Sequence, residues 1–196
     1  MNKFLFLFIV IFFSCSVKQK ITWDNIKPGS VRHIGAESLK VNIDNATYSF
    51  TLTVYSGPNS KKYGLLISSI WKIENDGIFL IKLGNDEVIK LIADNVNIGK
   101  IDYPAYMPIL GSTSNSGLLT TEKVDYYSSI YNLDQESLTK INEYGIYKIR
   151  IQFIGNYKEK SWKKDLLGTY IKKSYELLES ELLKPFPKSN SIEKGF

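Results

Sequence analysis

The sequence contains a single cysteine, a single histidine and only two arginines among its 196 residues. One cysteine cannot form a disulfide within the chain, so packing and hydrogen bonding must hold the fold together. Any histidine-dependent site would have to use His33, and no metal-ligand spacing such as H-E-x-x-H surrounds it. The sequence also lacks a G-x-S-x-G motif and a phosphate-binding glycine loop. We therefore predict no catalytic residue, no metal site and no cofactor.

The chain also has no apolar run of the about 20 residues that a membrane-spanning helix needs. Residues 4 to 13 are apolar without interruption, and they follow the positively charged Lys3. A run of ten matches the hydrophobic region of a secretory signal, which has about 7 to 15 residues. Ser14 supplies the small side chain that precedes a signal-peptidase cut. We predict that residues 1 to 14 are a signal peptide.

The end of this segment, Phe12, Phe13, Ser14 and Cys15, resembles a bacterial lipobox. The resemblance implies cleavage between Ser14 and Cys15, a thioether link from Cys15 to diacylglycerol, and acylation of the new amino terminus. Ser16 follows the cysteine where inner-membrane lipoproteins carry aspartate, which implies the outer membrane, facing the periplasm. The membrane is then a partner through the lipid anchor. The alternative is an ordinary secretory signal followed by an incidental cysteine.

The charge of the chain gives no sign of nucleic-acid binding. The formal net charge is +5, almost all of it from lysine. Proteins that bind nucleic acids favour arginine for bidentate contacts and concentrate their charge on one surface. A mildly basic surface near anionic lipid headgroups is the simpler interpretation, and we predict no nucleic-acid partner.

Composition divides the remaining chain into three parts. Residues 15 to 30 are polar and are interrupted by Pro28 and Gly29, which predicts a lipidated tether. Residues 31 to 184 are predicted to form one β-rich domain with a C-terminal helix. Residues 185 to 196 are predicted to form a loose tail.

Alternating apolar side chains predict the strands of this domain. In residues 46 to 57, one face collects four apolar side chains, Tyr48, Phe50, Leu52 and Val54. Three further strands, separated by the turns "ENDG" and "GNDE", are predicted to be consecutive antiparallel neighbours. Lysines between the apolar positions, Lys72, Lys82 and Lys90, are interpreted as a solvated outer face that discourages edge pairing. The alternative is a basic platform for acidic groups.

Two helices are predicted near the end of the domain. The first spans residues 135 to 144, with Asp134 as N-cap and Gly145 just beyond its C-terminus. The second spans residues 161 to 183 and has an apolar stripe. Residues 131 to 183 are also similar to a pattern of small exported bacterial proteins of unknown function, a resemblance that implies no catalytic residues.

Together these elements predict a mainly β fold. We expect a β-sandwich or antiparallel sheet of about seven strands with one short helix and a long C-terminal helix. The alternative is an α+β fold in which both helices cover one face of the sheet.

One segment stands out as a candidate binding loop. Residues 101 to 122 show no recognisable secondary-structure pattern, and they combine Tyr103, Tyr106 and Met107 with a flexible Gly/Ser stretch. Aromatic and methionine side chains are enriched at protein interfaces. The alternatives are a cover for one end of the core or an additional edge strand.

These features favour a lipid-anchored binding or structural protein of the cell envelope, with an envelope protein or polymer as its partner. The alternative is a hydrolase that acts on envelope polymers through carboxylates that the sequence does not identify.

Overall fold

The computed structural model describes residues 19 to 27, 31 to 108, 117 to 153 and 155 to 184. Within these residues the chain forms ten strands and two helices, in agreement with the predicted mainly β fold. The strands are β1 (Ile21–Lys27), β2 (Val31–Ala36), β3 (Leu39–Ile43), β4 (Ala46–Gly57), β5 (Ser60–Ser69), β6 (Ile78–Leu83), β7 (Val88–Pro108), β8 (Gly117–Leu133), β9 (Ile146–Phe153) and β10 (Asn156–Ser161). The helices are α1 (Gln135–Tyr144) and α2 (Leu167–Leu182). No described helix has the length and apolar content to cross a bilayer.

All neighbouring strands are antiparallel and belong to one sheet, in the order β1-β2-β4-β5-β8-β7-β6-β9-β10, with β3 beside β4. The first residues of β7, 88 to 92, pair with β6, whereas from residue 93 onward β7 pairs with β8. The sheet curves strongly, because Phe50 of β4 and Phe79 of β6, four strands apart in the order, have ring centroids only 6.0 Å apart. One core therefore fills the space inside the curve, and side chains from both helices belong to it.

The alternation predicted for β4 is confirmed. Tyr48, Phe50, Leu52 and Val54 are fully buried and form the centre of the core. Burying four such side chains is a large favourable contribution, since each contributes about 1.5–3 kcal/mol relative to exposure. Strand β4 has neighbours on both edges, and five consecutive residues at its centre, 50 to 54, are buried.

The edge of β4 that faces β2 and β3 has a gap in its ladder. Strand β2 pairs with residues 53 to 56 and β3 with residues 46 to 50, so neither reaches Leu52. The Leu52 backbone amide instead donates to the hydroxyl of Tyr170, at 3.1 Å. Burial raises the pKa of Tyr170, so the hydroxyl stays protonated at neutral pH. A helix side chain thus replaces the missing strand partner.

A second contact from the sheet to α2 is made by Arg32, which is 3% exposed. Its guanidinium contacts the Asp24 carboxylate of β1 with two nitrogens, Nε at 2.9 Å and Nη2 at 2.5 Å. Its Nη1 donates to the backbone carbonyl of Glu181 at 2.9 Å, near the C-terminal end of α2. A cation is favourable there because the last carbonyls of a helix carry partial negative charge. We call Arg32, Asp24 and Glu181 the arginine cluster.

The helix predictions are confirmed in type and nearly in position. Helix α1 begins after Asp134, whose carboxylate accepts a hydrogen bond from the Ser137 amide at 2.7 Å, and it ends at Gly145 with φ 66°. Helix α2 begins later than the predicted segment, because residue 161 is the last of β10. The carboxylate of Asp165 accepts from the Gly168 amide at 2.7 Å and so satisfies one donor of the first turn.

Three details of the sequence interpretation were wrong. The sheet has ten strands in the described residues instead of about seven. Residues 21 to 27 of the predicted tether form the edge strand β1, paired with β2. Strand β5 pairs with β4 and β8, so only β6 and β7 of the predicted meander are neighbours. The predicted signal peptide and tail, residues 1 to 14 and 185 to 196, lie outside the described residues.

The predicted loop at residues 101 to 122 also differs. Strands β7 and β8 continue beyond the rest of the sheet as a two-stranded ladder, from Gly99 opposite Tyr126 to Pro108 opposite Gly117. We call this pair of strand segments the ribbon. Among the described residues, no second strand pairs with residues 99 to 108 of β7 or with residues 117 to 126 of β8. Proline is tolerated in such a strand, because the missing N–H can face away from the ladder.

Candidate functional site

The ribbon and the outer face of the sheet enclose a groove of about 440 Å³. Its lining combines side chains of β3, β4 and β5 with Ile101 and Tyr103 of β7 and Tyr126 of β8. Because β3 and β8 are separated by two strands in the sheet, the ribbon must lean over the outer face to share this lining. We call it the ribbon groove, and its volume lies within the range of about 300–1,000 Å³ typical of ligand sites.

The floor of the ribbon groove consists of small hydroxyl side chains. Ser49 of β4 stands opposite Ser68 of β5, and both line the groove. The same row continues to Ser128 of β8, opposite Ser68, and to Asn97 of β7. The row exists because "ISSI" at residues 67 to 70 and "YSSI" at residues 127 to 130 lie on adjacent strands. Short side chains let a ligand approach the sheet closely and still form hydrogen bonds.

A polar rim borders this floor. Lys40 of β3 is opposite Ser49, and Asn45 occupies the tight turn between β3 and β4. Asp44 and Asn45 have φ of 46° and 64°, the left-handed values that a two-residue hairpin turn requires, which explains these residue types. Thr47 lines the groove, and its hydroxyl donates to the Asn42 side chain at 2.8 Å. The turn geometry thus holds Asn45 at the edge of the groove.

The wall on the ribbon side is aromatic and aliphatic. Tyr103 is 41% exposed, so its ring is accessible to a ligand in the groove. Gly99 stands opposite Tyr126, and no side chain at this position competes with the tyrosine for the surface. Ile101 lies between Gly99 and Tyr103 on the same face of the strand. The groove therefore has a polar floor and an amphipathic wall.

The sequence predictions for this region have different outcomes. Tyr103 lines the groove, but it does so from a strand and not from a loop. Tyr106 and Met107 are opposite Leu119 and Leu118 in the ladder, and for these two residues the structure describes the backbone alone. Ser14 and Cys15, the predicted cleavage and lipid-attachment residues, are also outside the described residues. Lys40, Ser49, Ser68 and Tyr126 were missed, although the repeated Ser-Ser-Ile pattern is a signal that could have indicated the floor.

Carboxylates border the ribbon groove but none of the described ones lines it. Asp44 precedes Asn45 in the turn, and Glu122 is opposite Tyr103 in the ladder. The carboxyl groups whose pKa values shift are elsewhere, and all three shift downward: Asp86 beside Lys82, Asp134 at the helix cap, and Glu159 between Lys148 and Arg150. A glycosidase-type acid needs a raised pKa, so these groups are not suited to that role.

The basic outer face predicted from the lysine pattern is largely neutralised by acids. Lys82 contacts Asp86 at 2.7 Å, and Glu159 accepts from Arg150 at 2.8 Å and pairs with Lys148 at 2.5 Å. Lys72 lies in the connection after β5 and not in a strand. A face whose charges are paired in this way presents a weak field to an acidic ligand.

The single histidine belongs to an aromatic stack on the outer face. His33 of β2 stacks on Tyr55 of β4, with ring centroids 3.8 Å apart, and contacts the Trp23 ring edge at 5.8 Å. Trp23 also covers Gly35, where an added Cβ would lie 2.2 Å from the indole ring. This packing gives His33 a structural role between β1 and β4.

In the described ranges, no three residues of the metal-binding types His, Cys, Asp and Glu converge on a common point. Comparison of the chain with protein-family models, with curated protein sequences and with solved structures found no match.

Proposed function

We propose that this protein is a lipid-anchored binding protein of the bacterial cell envelope, and that the ribbon groove is its ligand site. The observation that carries the proposal is the exposed Tyr103 beside a floor of serines on a rigid sheet. Binding sites on strands hold their side chains more firmly than sites on loops. The lipobox resemblance at Cys15 supplies the anchor. A hydrolase has less support, because no described carboxylate lines the groove.

The binding role predicts a loss of envelope retention when the aromatic wall is removed. Full-length protein in detergent is incubated with delipidated envelope material from the producing bacterium, and the bound fraction is measured by sedimentation. The double variant Tyr103→Ser, Tyr126→Ser should reduce the apparent affinity about tenfold or more, because aromatic anchors dominate binding energy. Tyr147→Ser is the matched control, since Tyr147 is also an exposed strand tyrosine, 52% exposed, but lies outside the groove.

An unchanged affinity in the double variant, with the thermal melt preserved, would remove the groove from the proposal. Equal losses in the double variant and in Tyr147→Ser would show that any exposed tyrosine contributes, which also contradicts a specific site.

The anchor predicts a separate result. In cells labelled with radioactive palmitate, the wild-type chain should carry label and Cys15→Ala should carry none, because the thiol is the attachment point and the cleavage marker. The variant should also leave the membrane pellet. Label that persists in Cys15→Ala, or a wild-type protein that is entirely soluble, would contradict lipidation.

A further inference from the structure

We infer that the ligand of the ribbon groove is a polysaccharide of N-acetylated amino sugars, an inference that rests on the binding function proposed above. Three classes of ligand fit the lining less well, and each mismatch has a physical cause. The remaining class matches the floor, the wall and the charge together.

Extended peptides commonly bind by adding a strand to a free sheet edge. The floor of the ribbon groove lies on β4 and β5, both of which have neighbours on both sides. Their backbone groups are therefore already used in ladders. The free edges that could pair with a peptide strand belong to β3 and the ribbon, at the sides of the groove, whereas the floor itself offers no main-chain hydrogen bonds.

Nucleic acids and lipids are disfavoured by the charge and polarity of the lining. Lys40 is the one charged residue among the described residues that line the groove, whereas a phosphate backbone requires several cations. The row of Ser49 and Ser68 crosses the middle of the floor, so an acyl chain would leave these hydroxyls without partners.

A sugar ring has hydroxyl groups around its edge and C–H groups on its faces. The edge can bond to Ser49, Ser68 and Asn45, while a face can lie against the ring of Tyr103 or Tyr126. An acetamido substituent adds an amide and a methyl group. The amide suits hydroxyl partners on the floor, and the methyl suits the aliphatic side chains of Ile70 and Ile101 in the same lining.

The charge of the groove distinguishes acetylated from deacetylated sugars. An N-acetylated amino sugar is neutral, but its deacetylated form carries a basic amine that becomes an ammonium ion in mildly acidic solution. Lys40 at the rim repels that cation, although Asp44 and Glu122 border the groove and offset part of the repulsion. The deacetylated chain also lacks the acetamido group that would contact the floor, Ile70 and Ile101. The groove should therefore prefer the acetylated chain.

The test uses the full-length protein in detergent and two probes of equal length, N-acetylglucosamine oligomers and fully deacetylated glucosamine oligomers, measured by calorimetry. We expect the acetylated oligomers to bind and the deacetylated ones to bind at least about tenfold more weakly. Tyr103→Ser should weaken the acetylated complex by about tenfold, and Tyr147→Ser should not. Ser68→Val should also weaken it, because the floor loses a hydroxyl and gains bulk.

The outcomes separate this inference from the proposed function. No binding of acetylated oligomers, or equal binding of both probes, would overturn the sugar assignment. If retention on envelope material still depends on Tyr103 and Tyr126, the groove remains a ligand site for another class. If that retention is also unaffected, the proposed function fails as well.

Discussion

Replacing Arg32 with methionine is expected to lower the free energy of unfolding by about 3 kcal/mol. The change removes the cation of the arginine cluster and leaves the Asp24 carboxylate and the Glu181 carbonyl without their shared donor. The side chains of Asp24 and Glu181 keep 23% and 17% of their exposure, so water compensates part of the loss. The expected effect is therefore at the lower end of that for a broken buried ion pair. Urea unfolding followed by circular dichroism measures it.

The chain supplies a matched control in its other arginine. Arg150 also pairs with a glutamate and lies over the Tyr157 ring at 4.2 Å, but its side chain is 40% exposed. Arg150→Met should cost less than about 1 kcal/mol, because exposed ion pairs contribute little. Similar losses for the two variants would contradict the role of burial.

A double variant separates electrostatics from packing. If Asp24 is changed to leucine together with Arg32→Met, the carboxylate that Arg32→Met leaves without its partner is also removed. Part of the lost stability should then return. Additive losses from the two changes would instead mean that Arg32 contributes mainly through the packing of its side chain.

The second large effect is a loss of stability at alkaline pH. Burial raises the pKa of Tyr131 to about 12 and also raises the pKa of Tyr48. Burial and a hydrogen bond to Glu179 raise the pKa of Tyr63. In the unfolded chain these phenols ionise near pH 10, so between about pH 10 and about pH 12 the folded state holds more protons than the unfolded state. Stability must then fall as the pH rises.

The direction and the size of this loss of stability can be tested for Tyr131 alone. Its shift corresponds to about 3 kcal/mol of unfolding free energy that is present below pH 10 and lost by about pH 12. Tyr131→Phe removes this titration. Between pH 10 and about pH 12, the unfolding free energy of the variant should therefore fall by about 3 kcal/mol less than that of the wild type. Surface lysine pairs titrate in both proteins and cancel in the difference. Urea unfolding at matched ionic strength, with phenolate absorbance as a second signal, measures both curves. Parallel curves would contradict the predicted titration of Tyr131.

Local patterns in the sequence were sufficient for the elements whose signals are local. Helix α1 is determined by Asp134 and Gly145 at its two ends, and both act within one turn of the helix. The alternation in β4 is equally local, since one buried face follows directly from every second residue. These are the features that the sequence predicted correctly.

Strand pairing and the ribbon depended on information that a local pattern does not contain. Strand β5 pairs with β8 across about 60 residues of chain, and the repeated Ser-Ser-Ile pattern places Ser68 beside Ser128 only once that pairing is known. In the ribbon, the lack of a recognisable secondary-structure pattern and the Gly/Ser stretch suggested a loop. Tyr103 could be selected for its chemistry, but the groove that gives it a role required the tertiary structure.

The hydrogen bond from Leu52 to Tyr170 has a consequence for the order of folding. The two residues are 118 positions apart, and synthesis delivers the amino-terminal strands first. Until α2 emerges and docks, the Leu52 amide at the centre of β4 has no partner in any strand that the structure describes. Chains that end before α2 therefore keep an open position at the buried centre of β4, and degradation or chaperone binding should distinguish them from finished molecules. The last bond of β4 therefore forms only when α2, which is synthesised after all ten strands, docks on the sheet.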